Sequence, residues 1–239
     1  LKDDPRGEIK ESVICAITTG ETSFFRDLHP WDALADHVLP ELAEKVRPRL
    51  KPECHSGRKL RFWSAAAATG QEAFSLAILI DEYIKKHPGQ KIEHGDFEII
   101  ATDISKSMLD RAQSATYTQY EVSRNLSQER IHSYFRKCGE AYVAAPSLRR
   151  MVSFREANLA EFPVQNAQFD IILCRNLLIY FDPDLKRKLF GIFHALLRDD
   201  GWLLLGATEN AYGMTDKFAS LHVGESIFYR KKTDTASMA

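Results

Sequence analysis

The chain has 239 residues, with 32 basic against 33 acidic side chains and a formal net charge of −1. Apolar content of 44% and charged content of 27% suit a globular protein with a full core, and the charge balance gives no support to a nucleic-acid or anionic-membrane partner. No apolar run approaches the roughly 20 residues that span a bilayer, so direct membrane insertion is not expected.

The polar start Leu1-Lys2-Asp3-Asp4 shows no signal peptide and, lacking Met, suggests a fragment or a processed chain. The four cysteines, Cys15, Cys54, Cys138 and Cys174, form no CxxC pair, which argues against a zinc site or a disulfide framework and for a reducing, cytoplasmic setting. Cys174 lies in an apolar run and reads as a buried thiol. The eight histidines show no metal-ligand spacing, so no metal is expected.

Residues 1–50 read as a helical segment. Apolar positions recur at Ile9, Val13, Ile14 and Ile17, then at Trp31, Leu34, Val38 and Leu42, with the polar break Thr18-Thr19-Gly20-Glu21-Thr22-Ser23 between them. Pro48, Pro52 and Ser56-Gly57 form a linker, so a second unit is expected over 51–239.

From Lys59 strands alternate with helices. Leu60–Ala65 reads as a strand, Glu72–Lys86 as a helix stopped by His87-Pro88-Gly89, and Phe97–Thr102 as a second strand. Ser105 caps a helix to about Ala115. Phe169–Cys174 is a further strand, and Asp182-Pro183 caps and starts a helix to Leu197. Asp199-Asp200-Gly201 is expected to end that helix before a strand at Trp202–Gly206, with a last strand at Ser226–Arg230. This rhythm means βαβ units and a mostly parallel sheet with ligand loops at its carboxyl edge. Residues 134–154 break it and read as a small inserted β-subdomain, with strands at Tyr142-Val143 and Met151–Phe154.

Three strand ends carry the chemistry. After the first strand, Ser64-Ala65-Ala66-Ala67-Ala68-Thr69-Gly70-Gln71-Glu72 turns on small side chains that let backbone approach a ligand at a helix N-terminus. A tight strand–helix connection explains that turn equally well. The second strand ends at Asp103, placed to accept hydrogen bonds from both ribose hydroxyls or to cap the following helix. The Phe169–Cys174 strand runs into Arg175-Asn176, with Tyr180 close behind, and a polar pair directly after a buried strand is costly unless bonded or wet.

Five segments together resemble the successive motifs of CheR-type chemotaxis receptor methyltransferases: Thr18–Arg26, Phe62–Ser75, Ala101–Ser105, Phe169–Asp182 and Leu205–Asn210. The resemblance implies a class I S-adenosylmethionine-dependent methyltransferase: an α/β, Rossmann-like, mostly parallel sheet with a small β-subdomain and a partial N-terminal helical segment. It implies transfer of methyl groups from S-adenosylmethionine to glutamate carboxylates on the cytoplasmic helices of a chemoreceptor, leaving S-adenosylhomocysteine. By motif position, Gly20, Thr22 and Arg26 face the cofactor from the N-terminal loop and Ala66 and Gly70 belong to its loop. Glu72 and Asp103 hold its amino-acid and ribose parts, Asn158 and Leu159 border the adenine, and Arg175 and Asn176 lie nearby. Arg26 and Tyr180 stand beside the transferred methyl.

The chain departs from the pattern at Gly20, at Gln71 and Ala73, and at Ala207-Thr208-Glu209-Asn210. Residues 136–150 lack the Gly-rich loop that grips a receptor's C-terminal tether, so tether binding is not expected. Two rival readings share the sheet: a silent binding protein that holds the cofactor or its spent form as a sensor or scaffold, and a methyltransferase for another acceptor such as RNA or a small metabolite. A nicotinamide-dependent enzyme ranks last, because the GxGxxG loop is missing.

Overall fold

The computed structural model describes residues 20–46, 59–162 and 168–232. The periodic stretch at Ile9–Ile17, Thr18-Thr19, the linker through Pro48, Pro52 and Ser56-Gly57, and Cys15 and Cys54 lie outside the described residues. A loop at 20–28 leads into α1 (His29–Ala33), one π turn (Leu34–Val38) and α2 (Leu39–Val46). Then come β1 (Leu60–Ser64), α3 (Gln71–Lys86), β2 (Phe97–Asp103) and α4 (Lys106–Ser114). The middle of the chain carries β3 (Thr116–Thr118), α5 (Gln119–Ser123), α6 (Gln128–Tyr134), β4 (Phe135–Cys138), β5 (Ala141–Ala144) and α7 (Pro146–Arg149). The rest is β6 (Val152–Glu156), β7 (Phe169–Cys174), α8 (Pro183–Leu196), β8 (Leu197–Leu205), β9 (Phe218–Val223) and β10 (Ser226–Lys231).

Seven strands form one sheet in the order β6-β2-β1-β7-β8-β10-β9. The five from β6 to β8 are parallel, and β10 runs antiparallel to both neighbours. From β1 the chain winds outward through β2 to β6, then returns to lay β7 on the other side of β1. This reversal is a topological switch point, where the loops diverge and leave a crevice.

Period-2 alternation splits the core into two layers. Phe62, Ile99, Ile171 and Leu204 face one side, with Trp31, Leu34, Val38 and Leu42 of the N-terminal helices and much of α3. Trp63, Ile100, Ile172 and Leu203 face the other, against Leu189, Phe190, Phe193 and Leu196 of α8. The expected apolar stripe at Trp31, Leu34, Val38 and Leu42 is fully buried. Arg230 of β10 stacks over Trp202 at 3.7 Å and bonds Glu41, fastening α2 to the sheet.

Two expectations are corrected. Asp199-Asp200-Gly201 does not separate a helix from a strand, because β8 begins directly at Leu197. Leu197 pairs with Phe169 and Trp202 with Ile171, so Arg198–Gly201 bulges out of register. Lys45 and Lys231 neutralise Asp200 and Asp199 on that bulge. Nor does Met151–Phe154 belong to the small β-subdomain. Residues from Val152 pair in parallel with β2 as the edge strand β6, and the separate sheet is β3-β5-β4, starting already at Thr116. Its first strand escaped notice because three residues are too few to show a period.

No described helix is long and apolar enough to cross a membrane, and no described group of three His, Cys, Asp or Glu side chains is placed to hold a metal ion.

Candidate functional site

The crevice at the carboxyl edge is walled by the loops after β1, β2, β6, β7 and β8 and crossed by the loop 20–28. After β1, Ala65 N–H donates to Leu173 O at 2.8 Å and Ala67 N–H to Thr102 O at 2.9 Å, so the loop bridges both neighbouring strands. Gly70 sits at φ 91°, and a Cβ there would lie 3.1 Å from both Ala112 Cβ and Phe154 Cζ. Only glycine meets both demands. Gly70 caps the 16-residue α3 with no side-chain hydrogen bond, leaving first-turn N–H groups for a ligand.

Glu72, on that first turn, is 9% exposed. Ser64 Oγ donates to its Oε1 at 2.7 Å, and Arg175 Nη1 reaches its Oε2 at 3.5 Å. Burial pushes the Glu72 carboxyl up from its ordinary pKa, outweighing Arg175 and Ser64, which pull it down. A buried carboxylate so thinly compensated suits a cationic ligand group.

Asp103 ends β2, half-buried. Its Oδ2 accepts Ala68 N–H at 2.8 Å and its Oδ1 accepts Ser105 N–H at 3.0 Å. Each oxygen keeps a further lone pair. Ser105, not Asp103, caps α4, accepting Met108 N–H at 3.4 Å.

Arg175, at the end of β7, is buried. Its Nη2 donates to Arg26 O at 2.8 Å and to the Asp27 carboxylate at 2.9 Å, and its guanidinium lies 5.5 Å from the Trp31 ring centroid. Its Nε is buried with no hydrogen-bond partner among the described residues. Asn176, next in chain, adopts φ 57°. Glu209, in the loop after β8, accepts the N–H groups of Asn176 at 2.8 Å, Gly206 at 2.7 Å and Ile179 at 3.3 Å.

The loop 20–28 is anchored by aromatic side chains. Phe24 meets Tyr117 and Phe135 edge-on at 4.9 and 5.3 Å, and Arg130 lies 3.9 Å over Phe25. Tyr117 Oη donates to Thr69 O at 3.0 Å, joining the small β-sheet to the loop after β1. A Cβ on Gly20 would lie 2.6 Å from Met108 Cε, so the loop passes close to α4. Thr22 is half-buried, and Arg26 Nη1 donates to Glu21 O at 2.8 Å.

Positive φ recurs at this edge: Phe25 at 47°, Ala68 at 45° and Asn176 at 57°. Each is held through its own N–H by a side chain from a different element, respectively Ser75 Oγ at 2.9 Å, Asp103 and Glu209. Strain that the surroundings enforce in this way gathers at functional sites.

Glu72, Asp103, Arg175, Asn176, Ala66 and Gly70 thus share one crevice, and the loop bearing Gly20, Thr22 and Arg26 lies across it. Asn158 sits in the loop after β6, its Oδ1 accepting Ala160 N–H at 3.1 Å, while Leu159 packs into the second core layer. Tyr180 ends the turn Leu178–Tyr180, 57% exposed. The sequence reading did not pick out Asp27, Ser64 or Glu209 as site residues. Glu209 had a signal, since its motif was recognised, but its partners are backbone groups, which no sequence pattern displays.

Residues 20–227 match the family described as CheR methyltransferase, SAM binding domain. The chain is 36% identical over 233 residues to chemotaxis protein methyltransferase Cher2 of Pseudomonas putida, covering 97% of this chain and 81% of that protein. It is 39% identical over 226 residues to chemotaxis protein methyltransferase 1 of Vibrio cholerae, covering 94% and 77%. Among solved structures, a TehB-like SAM-dependent methyltransferase from Corynebacterium glutamicum overlays with a TM-score of 0.43 at 12% identity, over 81% of this chain and 100% of that one. S-adenosylmethionine is the cofactor, and the chemistry of the crevice fits a cationic nucleoside: it offers a buried acid, a strand-end acid with further lone pairs, and a helix start with no side-chain cap. The chain belongs to the CheR methyltransferase family and is an S-adenosylmethionine-dependent methyltransferase.

Proposed function

We propose that this chain methylates glutamate side chains on the cytoplasmic helices of a chemoreceptor, forming glutamyl methyl esters, and so works in the cytoplasm. The observation that carries the reading is the pair of acids at the carboxyl edge, Glu72 on the first turn of α3 and Asp103 at the end of β2. The names of the relatives supply the chemotaxis setting.

When bound, S-adenosylmethionine supplies a methyl group on a sulfonium sulfur, which an acceptor carboxylate oxygen takes as the carbon–sulfur bond breaks and its electron pair stays on sulfur. A glutamate side chain, with an ordinary pKa of about 4.3, is ionised at neutral pH, so the chain need not supply a base. Its residues bind, orient and exclude water. In this reading Glu72 pairs with the cofactor's ammonium and Asp103 accepts from its ribose hydroxyls. The backbone of Ala66 and Gly70 lets it approach closely. Asn158 and Leu159 border the adenine, and Gly20, Thr22, Arg175 and Asn176 complete the lining. Arg26 and Tyr180 stand near the methyl and orient the acceptor. A guanidinium bound tightly to the acceptor carboxylate would lower its nucleophilicity, so Arg26 is assigned a positioning role. The division into an N-terminal helical segment over 1–50 and a methyltransferase domain over 51–239 is part of the same proposal.

The test uses radiolabelled methyl donor with receptor cytoplasmic fragments. Label released as volatile methanol in alkali is expected, because esters hydrolyse there and N-methyl groups persist. Cofactor binding without ester formation on any receptor fragment would overturn the assignment and favour a sensor or scaffold.

A further inference from the structure

Among the described residues eight large apolar side chains are exposed, and five of them, Leu28, Ile104, Ile179, Tyr180 and Tyr212, stand on loops at the carboxyl edge of the sheet. A sixth, Ile227, lies near the start of β10, which runs antiparallel to β8 and so begins at that same edge. Apolar surface gathered at one edge marks a place where another molecule docks, whereas isolated exposed side chains do not.

Tyr212, 92% exposed, and Ile227, 46% exposed, both line an open depression of about 810 Å³. Met214, Phe218 and Tyr229 add to its wall. One lysine, Lys232, and one aspartate, Asp216, make its lining neutral. The depression adjoins the loop after β7 through Asn210, which lines it and directly follows Glu209, whose carboxylate bonds the N–H groups of Asn176 and Ile179 on that loop and of Gly206 on the loop after β8. Tyr212 follows three residues later, in a turn where its N–H donates to Asn210 Oδ1 at 3.0 Å. On α8, just beyond the Leu178–Tyr180 turn, Lys186 and Lys188 have no ion-pair partner among the described residues. The edge therefore offers an apolar seat next to a cleft for a carboxylate, with unpaired positive charge behind it.

We infer that the depression between Tyr212 and Ile227 seats the apolar face of an amphipathic, acidic helix of the acceptor protein, so that acceptor glutamates are selected by an apolar neighbour on the same helix face. Neighbours at i±3 and i±4 share such a face, which lets one side chain enter the depression while the glutamate enters the crevice. Lys186 and Lys188 favour the acidic residues flanking it. This inference rests on the proposed reaction and adds the rule by which its substrate is chosen.

The test compares Tyr212→Ser and Ile227→Thr in the full chain. The first side chain stands in solvent, and the second substitution keeps a β-branched residue in the strand. A receptor cytoplasmic fragment serves as acceptor, with a second fragment in which the apolar residue one turn from the acceptor glutamate is replaced by serine. Each enzyme variant is expected to raise KM for the native fragment by roughly tenfold, the loss of one apolar anchor, with kcat within about twofold and unchanged affinity for S-adenosylhomocysteine. The serine fragment should raise KM similarly for the unsubstituted enzyme and little further for the variants. If the unsubstituted enzyme forms alkali-labile esters but KM stays constant in both variants, or kcat falls in place of KM, the docking inference is wrong and the reaction stands. If no ester forms on any fragment, the reaction assignment fails and takes the inference with it.

Discussion

The carboxylate of Glu209 accepts the backbone N–H of Asn176 at 2.8 Å and thereby holds Asn176 at φ 57°, in the left-handed region. The same Oε2 accepts Gly206 N–H, and a Cβ on Gly206 would lie 2.6 Å from it. Three N–H groups converge on one side chain that is 9% exposed. Glu209→Gln replaces one acceptor oxygen with a donor and leaves at least one buried N–H unpaired, so urea denaturation should show a loss of about 2 kcal/mol. Methyl transfer should fall by about tenfold or more, because the loop carrying Asn176 and Tyr180 loses its fixed geometry. Unchanged stability would mean that the two loops hold their positions without this carboxylate.

Arg175 joins residues far apart in the chain. It binds Arg26 O and Asp27 of the loop 20–28 through Nη2 while Nη1 reaches Glu72. Asp27 is the more exposed partner, and removing its charge leaves Arg175 with Glu72 and a carbonyl. Asp27→Asn is therefore expected to weaken S-adenosylhomocysteine binding by about 1 kcal/mol, roughly fivefold in Kd, with little change in global stability. Calorimetric titration decides it, and an unaltered Kd would show that the Asp27 charge does not position the loop for the cofactor.

Glu72 gives a pH signature with opposite signs for folding and binding. Burial raises its folded pKa, so the folded state binds this proton more tightly than the unfolded state does. The resulting stability is fully present below the ordinary glutamate value of about 4.3 and is lost as pH rises through the raised value. Glu72→Gln should thus gain stability relative to the unsubstituted chain as pH rises. Cofactor affinity should run the other way if the ionised carboxylate pairs with the cofactor ammonium as proposed: it climbs with pH over the same interval and stays flat in Glu72→Gln. Parallel pH profiles for the two proteins would remove Glu72 from the ammonium site.

How far the sequence discloses this site depends on the kind of partner each residue has. Phe169–Cys174 and the caps at Ser105 and Asp182 were readable, because burial and capping follow local patterns, and Ser105 and Asp182 each accept the N–H expected of an N-cap. The strand at Leu197 was not, since Asp199-Asp200-Gly201 has the composition of a turn and is carried in the sheet by a bulge and by lysines from α2 and β10. Glu72, Asp103 and Arg175 could be picked out by their places after strands. Asp27 could not, because its partner lies 148 positions away.

Asp81 separates stability from function. Its buried carboxylate accepts from Lys85 Nζ at 2.6 Å, Tyr134 Oη at 2.7 Å and His94 Nε2 at 2.8 Å, tying α3 to α6 and to the turn before β2. Burial pushes its pKa up, but the bonds from Lys85, Tyr134 and His94 together outweigh that and hold it below the ordinary value. A depressed pKa means stability that is present above the unfolded value of about 3.9 and lost as pH falls through the folded one. Asp81→Asn should therefore cost about 2 kcal/mol near pH 7, with the gap to the unsubstituted chain narrowing as pH drops below about 4. Asp81 lies nine residues beyond Glu72 on α3, roughly 13 Å along the axis, so cofactor Kd should not change. A gap that persists undiminished in acid would show that packing around Asp81, and not its charge, carries the contribution.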